Sequence, residues 1–295
     1  MIVKRFDSAE GNVWKYVFDF GNAIAEAVLY KYDSFYKRTV ICVSVQSGCP
    51  VGCTFCGTGK RFIRNLTAQE IFDQVIYALT DMEILDIDDE GERFQIMFMS
   101  MGEPLLNMDN VLSAIDSLTE RFPDAELLVS TIAPNRPEAI SNFLHASMLN
   151  NRIGLQFSVH EAYNWKRNQL IPYQNKLNLR QIRDLGIQWH KITGRPVYIN
   201  YCVGDDNRSA AEMASLKDLF SPVIFNFTFS VICSADENLK SAGYRDLDKI
   251  TELTTSFVED GYNVRVFNPA GQDDIGGGCG QLWYVQDWMK INLNK

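Results

Sequence analysis

Three cysteines carry the strongest chemical signal in the chain. In Ser47-Gly-Cys49-Pro-Val-Gly-Cys53-Thr-Phe-Cys56-Gly the spacing is Cys-x3-Cys-x2-Cys, close enough for three thiolates to converge on one site. With 7 cysteines in 295 residues, random placement would give that spacing on the order of 0.004 times per chain. Zinc also binds thiolates so spaced, but a structural zinc takes a fourth ligand, and His145, His160 and His190 are distant in sequence. Three ligands for an iron–sulfur cluster that normally takes four would leave one iron open, free to bind and activate a small molecule. A second signature is Met99-Ser-Met-Gly102-Glu103-Pro104-Leu-Leu-Asn107. It places a carboxylate and exposed carbonyls at a strand's C-terminal end, where an ammonium group can be received. In Gly276-Gly-Gly-Cys279-Gly280 the missing side chains leave a loop free to carry one thiol between two partners.

These residues need a scaffold, and the pattern predicts one. Residues 12–30 are rich in β-formers and broken by Gly21-Asn22, which reads as a hairpin. Strands are then expected at Thr39 to Val45, Phe94 to Met99, Ala125 to Ser130, Arg152 to Val159, Pro196 to Val203 and Val223 to Phe229. Segments able to be helical alternate with them, the first running from Thr67, where Thr67-Ala-Gln-Glu70 forms a capping box, to about Asp81. Six β/α units without a dinucleotide glycine fingerprint predict an α/β fold, an open partial (β/α)6 barrel. A helix from Leu247 to Val258, a strand from Asn263 to Phe267 and the glycine-rich loop close the chain. The expected division is an N-terminal β-hairpin extension, 1–38, and a core, 39–295.

Composition narrows the setting. Hydrophobic residues make up 46% and charged residues 22%, enough for a sizeable core and unlike a disordered chain or a disulfide miniprotein. No apolar run reaches the roughly 20 residues of a membrane span, and the start lacks the order of a signal peptide. An odd cysteine count without a secretory signal fits thiols used as ligands or reactants in a reducing cytoplasm. Net charge is −9, at first sight unsuited to wrapping nucleic acid. Seven of the 37 acids fall between Asp81 and Glu92, leaving 30 acidic against 28 basic residues elsewhere, and the run itself reads as a solvated helix end and loop.

The three-cysteine motif resembles that of the radical S-adenosylmethionine superfamily. The resemblance narrows with Cys42-Val-Ser-Val-Gln-Ser-Gly-Cys49, Thr-Phe-Cys56, Arg64-Asn-Leu66, Met101-Gly-Glu-Pro-Leu-Leu-Asn107, Ser158-Val-His160 and Asp273-Asp-Ile-Gly-Gly-Gly-Cys279-Gly-Gln-Leu282. In order and spacing these are similar to the RlmN/Cfr family of adenine methyltransferases, from about residue 12 to residue 283. The resemblance implies a 4Fe-4S cluster held by Cys49, Cys53 and Cys56, with S-adenosylmethionine chelated to its open iron and cleaved to a 5′-deoxyadenosyl radical. It further implies that Cys279 is methylated, loses hydrogen to that radical and joins carbon 2 or 8 of an RNA adenine. Cys42 then matches the resolving thiol, whose attack leaves a disulfide for a thiol reductant, and Glu26 the general base. Phe55, Gly102, Glu103, Ser130, Ser158 and His160 match cofactor-contacting positions, and the cluster implies an electron donor such as flavodoxin or ferredoxin.

Some features depart from the family. The loop between Glu26 and Cys42 is a few residues longer, and a family asparagine after the sixth strand has no obvious counterpart in Phe225-Asn-Phe-Thr-Phe-Ser-Val-Ile-Cys233. Members acting on ribosomal RNA usually carry an N-terminal accessory domain that is expected to be missing here. The same chemistry on a smaller nucleotide, another heteroaromatic or a peptide is therefore a second reading, and a non-catalytic metal-binding protein a third. Lys60, Arg61 and Arg64, three charges in five residues, read as phosphate contacts or a solvated loop. Cys202 and Cys233 read as packing residues.

Overall fold

The computed structural model describes residues 1–231, 247–267, 271, 275–278, 281, 282, 284 and 287. The N-terminal strands are β1 (Ile2–Asp7), β2 (Val13–Asp19) and β3 (Ile24–Tyr32). They meander antiparallel onto β4 (Arg38–Val43). From β4 the ladder is parallel through β7 (Phe94–Phe98), β8 (Glu126–Thr131), β9 (Ile153–Ser158), β10 (Val197–Val203), β11 (Phe225–Val231) and β12 (Val264–Phe267). One ten-stranded sheet results, ordered β1-β2-β3-β4-β7-β8-β9-β10-β11-β12. The remaining pair, β5 (Gln46–Gly48) and β6 (Phe62–Asn65), forms a small antiparallel ribbon at the mouth.

The helices are α1 (Ala68–Asp81), α2 (Ile87–Glu90), α3 (Met108–Arg121), α4 (Pro137–Leu149), α5 (Asn164–Leu170), α6 (Leu179–Thr193), α7 (Ala210–Leu219) and α8 (Leu247–Glu259). They cover one face of the parallel strands, as right-handed crossovers require. Helix α1 shows the local logic. Ile71, Val75, Ala78 and Leu79 recur at helical spacing and are buried, while Thr67 and Glu70 close the expected capping box. The outer core joins these helix faces to Ile41, Ile96, Leu127, Leu155 and Ile199. A second core lies inside the curl, with Val28, Tyr30, Val40, Cys42 and Met97 packed beside Ile275 and Leu282. The curl is tight enough that Tyr30 of β3 meets Phe267 of β12, ring centroids 5.7 Å apart, although β3 and β12 stand near opposite ends of the strand order. This is the expected partial barrel with an antiparallel extension.

The six expected parallel strands are all present with ends shifted by a residue or two, and the hairpin across Gly21-Asn22 is β2–β3. Three short strands went unpredicted. β1 is an edge strand with four of its six residues exposed, so its alternation carries little hydrophobic signal. β5 and β6 span three and four residues, too few for a period to register. The acidic run ends α1 and continues through α2 with most carboxylates exposed.

Candidate active site

The cysteine loop is a closed excursion between β5 and β6. Cys49 N–H donates to the Arg61 carbonyl at 2.8 Å and Cys56 N–H to the Cys53 carbonyl at 3.1 Å. Gly48 has φ +77°, and a Cβ there would stand 2.1 Å from the Arg61 oxygen. Only glycine permits this closure. On its far side the loop docks on α5, with Thr54 N–H donating to the Leu170 carbonyl at 2.9 Å.

The loop opens into a cleft within the barrel mouth. Cys49, Cys53 and Cys56 line it together with Phe55, Gly102, Glu103, Ser130, Ser158 and His160. Cys42, on the inward face of β4, lines the same cleft, as do Gly277 and Gly278. Residues far apart in the chain, from Val28 to Leu282, thus meet at one cavity. Cys279 and Cys233 lie outside the described residues. Cys202 is fully buried, as a packing residue should be.

Each lining residue is held by identifiable partners. The Gly102 turn has φ +98° and presses on Gln46, whose Cβ would lie 2.6 Å from any Cβ added to the glycine. Gln46 Oε1 accepts from Glu103 N–H at 2.9 Å, and Asn107 Nδ2 donates to the Val45 and Leu66 carbonyls at 2.7 and 2.8 Å. Asn107 thus binds the motif to the barrel rim. Glu103 is buried, and burial raises its carboxyl to about 7. It accepts from Thr131 Oγ1 at 2.5 Å, Leu105 N–H at 3.0 Å and Ile132 N–H at 2.9 Å. A carboxylate offers about four acceptor positions, so one remains for a ligand. His160, at φ +60°, sits in the left-handed region that non-glycine residues enter mainly where the surroundings compel it. Its Nδ1 accepts from Cys202 N–H at 3.1 Å, which leaves Nε2 to carry the proton. Burial, with a contribution from Arg167, lowers its pKa to about 3. Phe55 meets the imidazole edge-on at 5.5 Å. Ser130 and Ser158 face each other at 3.3 Å.

The thiol set suits a cluster with one open iron. Burial pushes the Cys49 thiol well above its usual range, so its thiolate needs a nearby cation of the kind bound iron provides. Among the described residues no three His, Cys, Asp or Glu side chains are gathered closely enough to hold a metal ion.

Glu26 is fully buried on β3, on the inward face it shares with Val28 and Tyr30. Its Oε1 accepts from Tyr284 N–H at 2.9 Å. Oε2 has no hydrogen-bond partner, with Lys15 Nζ 3.5 Å away. Burial raises the Glu26 pKa and lowers that of Lys15, each opposing the other's shift.

The structure also corrects and extends the sequence reading. Arg64 is partly exposed, and its guanidinium is held by Glu70 at 2.7 and 2.8 Å and by Asn22 at 2.6 Å. Arg61 is exposed. Among the described cysteines no disulfide is found, and Cys279, the implied partner of Cys42, lies outside the described residues. Asn200 and Ser230 were not expected at the site. Both line the cleft, and Ser230 Oγ donates to Asn200 Oδ1 at 2.7 Å. The available signal was a lone amide inside the otherwise apolar strand Val197-Tyr-Ile-Asn200-Tyr-Cys-Val.

The radical SAM superfamily profile matches residues 43–199. A probable dual-specificity RNA methyltransferase RlmN of Petrotoga mobilis is 30% identical over 293 residues, covering 95% of this chain and 78% of that protein. The protein of the same description from Finegoldia magna is 29% identical over 287 residues, covering 95% and 77%. The crystal structure of a radical SAM methyltransferase from Sphaerobacter thermophilus shares the fold, with a TM-score of 0.79 at 24% identity over 94% of this chain and 79% of that one. No helix among the described residues is long and apolar enough to cross a membrane. The superfamily implies an iron–sulfur cluster and S-adenosylmethionine, which the three-thiol loop and its cleft accommodate, and the chain belongs to that superfamily as a methyltransferase related to the RlmN enzymes.

Proposed function

We propose that this enzyme installs a methyl-derived carbon on carbon 2 or 8 of adenine in RNA, using Cys279 as the methyl carrier. The observation that carries this reading is the shared cleft: the cluster thiols, Cys42 and the glycines directly before position 279 line one cavity. When bound, the cluster and S-adenosylmethionine supply the methyl group, one-electron reduction and a 5′-deoxyadenosyl radical.

The chain's own residues divide the remaining work. Cys49, Cys53 and Cys56 hold the cluster and leave one iron position to the cofactor. Glu103 keeps one acceptor site for its ammonium, with the carbonyls of the Gly102 turn alongside. Phe55 and the neutral His160 frame the adenine end, and Ser130, Ser158 and Asn200 offer hydroxyl and amide contacts. Asn200, steadied by Ser230, takes the part of the family asparagine that has no obvious counterpart after the sixth parallel strand.

Cys279, once S-methylated, gives up a hydrogen atom and its methylene carbon joins the base. The odd-electron adduct would return one electron to the oxidised form of a bound cluster, so that the electron supplied at the start is recovered, and Glu26 takes the proton from the substituted carbon at Oε2, the oxygen that Lys15 faces. The Cys42 thiolate then attacks the Cys279 sulfur and breaks the bond to the transferred carbon, which takes up a proton and becomes methyl. The resulting Cys42–Cys279 disulfide needs two electrons from a thiol reductant, in keeping with a cytoplasmic enzyme. Flavodoxin or ferredoxin serves as the one-electron donor.

A Cys42→Ala variant tests the reading, because it should accumulate protein joined covalently to its substrate at Cys279. Adenine-containing RNA in that adduct, located by mass spectrometry, supports the proposal. A small molecule or a peptide in its place overturns the RNA assignment, and an unmethylated Cys279 in the unaltered enzyme incubated with S-adenosylmethionine overturns the carrier.

A further inference from the structure

The antiparallel extension holds an unexpected charge. β2 reads Val13-Trp-Lys15-Tyr-Val-Phe-Asp19, and Lys15 is fully buried in it. A buried ammonium is costly unless paired and hydrogen-bonded, so its partners matter. Lys15 Nζ donates to the Gly276 carbonyl at 3.2 Å and stands 3.5 Å from Glu26 Oε2. It also lies over the rings of Phe6 on β1 and Tyr284, 5.4 and 4.9 Å from their centroids. Two of these contacts reach the C-terminal loop on opposite sides of position 279.

Other residues repeat the arrangement. On β3, Tyr30 Oη donates to the Gly277 carbonyl at 3.0 Å, and Glu26 Oε1 accepts from Tyr284 N–H at 2.9 Å. From the cluster loop, Thr58 Oγ1 donates to the Leu282 carbonyl at 2.7 Å. Within the C-terminal segment, Gly278 N–H donates to Gln281 Oε1 at 2.7 Å. Both stems flanking Cys279 are therefore fixed to groups of the extension and the cluster loop, which are themselves fixed by sheet and turn.

We propose that Lys15 is a positioning residue, linking the Gly276 stem of the carrier loop to Glu26 so that stem and base keep one register. The antiparallel extension is then the seat of the carrier loop. This rests on the assignment of Cys279 as carrier. Placement of reacting groups to within an ångström governs rate, so loosening one stem should slow methyl loading without removing any reacting atom.

The test compares Lys15→Met, Lys15→Arg and Tyr30→Phe with the unaltered holoenzyme after cluster reconstitution. Iron and sulfide content should stay at the unaltered level in all three. In Lys15→Met, hydrogen exchange of the peptide spanning 276–284 should accelerate by about tenfold or more while the β7–β9 peptides stay unchanged, and the rate of methyl gain at Cys279 should fall by about tenfold or more. Tyr30→Phe, which removes one hydrogen bond, should move both quantities the same way by a few fold, and Lys15→Arg should restore most of the loading rate. Unchanged exchange of 276–284 in both Lys15→Met and Tyr30→Phe overturns the proposal, as does unimpaired loading despite faster exchange. If Lys15→Met fails to fold, Tyr30→Phe carries the same pair of outcomes. An unaltered enzyme that gains no methyl at Cys279 would instead refute the carrier assignment, while exchange would still report whether Lys15 holds the stem.

Discussion

The two sides of the cleft are built by opposite means. On the parallel side, Cys49, Cys53, Cys56, Gly102, Glu103 and His160 lie in turns beyond strand ends, outside the ladder, where they line the cleft. On the antiparallel side, Lys15, Glu26 and Tyr30 sit within strands whose backbone groups are already committed to the ladder. Only side chains are free to act there, and they act on another segment of the protein, the stems around position 279. One side lines the cleft from its turns, and the other holds a distant segment of the chain from within its strands.

The contrast is tested most severely at the thiols. Replacing Cys49, Cys53 or Cys56 by alanine should reduce reconstituted iron and sulfide to background and abolish methyl transfer, because two thiolates do not hold a four-iron cluster that already lacks one protein ligand. Full cluster content in any of the three variants would break the assignment. On the other side, Glu26→Gln should leave the cluster and methyl loading of Cys279 intact and slow proton loss from the adduct by about 10²–10⁴-fold. Rapid-quench mass spectrometry should show that adduct accumulating. Equal loss of loading and resolution would mean that Glu26 acts through the loop rather than on the substrate.

How much the sequence disclosed follows the same division. Residues in turns are close together in sequence, so Cys49, Cys53 and Cys56, and likewise Gly102 with Glu103, form readable motifs. The βα alternation is equally local, because the inner strands of the parallel ladder are largely buried on both faces and alternate with amphipathic helices. Lys15 carries no such mark. Its significance lies in a β2–β3 register that sets Lys15 opposite Val28 and Val17 opposite Glu26, and in contacts with Gly276 and Tyr284 some 260 positions away. Asn200 was passed over for a similar reason: one amide in an apolar strand becomes meaningful only when Ser230 and the cluster loop are brought beside it. Arg64 is likewise explained only by the fold, since Glu70 and Asn22, which take its donors, lie 6 and 42 positions away.

The cofactor side also depends on backbone shape. Gly102→Ala would force a side chain into φ +98° and against Gln46 at 2.6 Å. Strain and overlap together should destabilise the protein by about 2–4 kcal/mol, read as a lowered urea midpoint. The displaced turn should weaken S-adenosylmethionine binding as well. On the antiparallel side no glycine of the extension bears such a contact: a Cβ at Gly11 or Gly21 meets nothing within 4 Å. Their alanine variants should keep cofactor affinity and lose only the smaller cost of the positive φ, about 1 kcal/mol.

The smallest effect separates two buried carboxylates, one on each side. Glu26 and Glu161 both bury an Oε2 without a hydrogen-bond partner, but Glu26 has Lys15 within 3.5 Å. Glu161, in the loop after β9, has weaker help from Lys166 and like charges in Glu212 and Asp206, and burial raises it to about 7 from an ordinary value of 4.5. Between those values the folded protein holds a proton that the unfolded chain has released. Stability therefore falls as pH rises from about 4.5 through 7, and the loss is complete above that range. Allowing for partial solvent screening, it should amount to about 1–2 kcal/mol. Glu161→Gln should raise the urea midpoint at pH 8 and leave it nearly unchanged at pH 5, narrowing the gap between the two conditions, with methyl loading of Cys279 unaltered. A variant that is no more stable at pH 8 than the unaltered protein would show that Glu161 stays ionised and solvated, and that an unpartnered buried carboxylate is confined to the side where a lysine faces it.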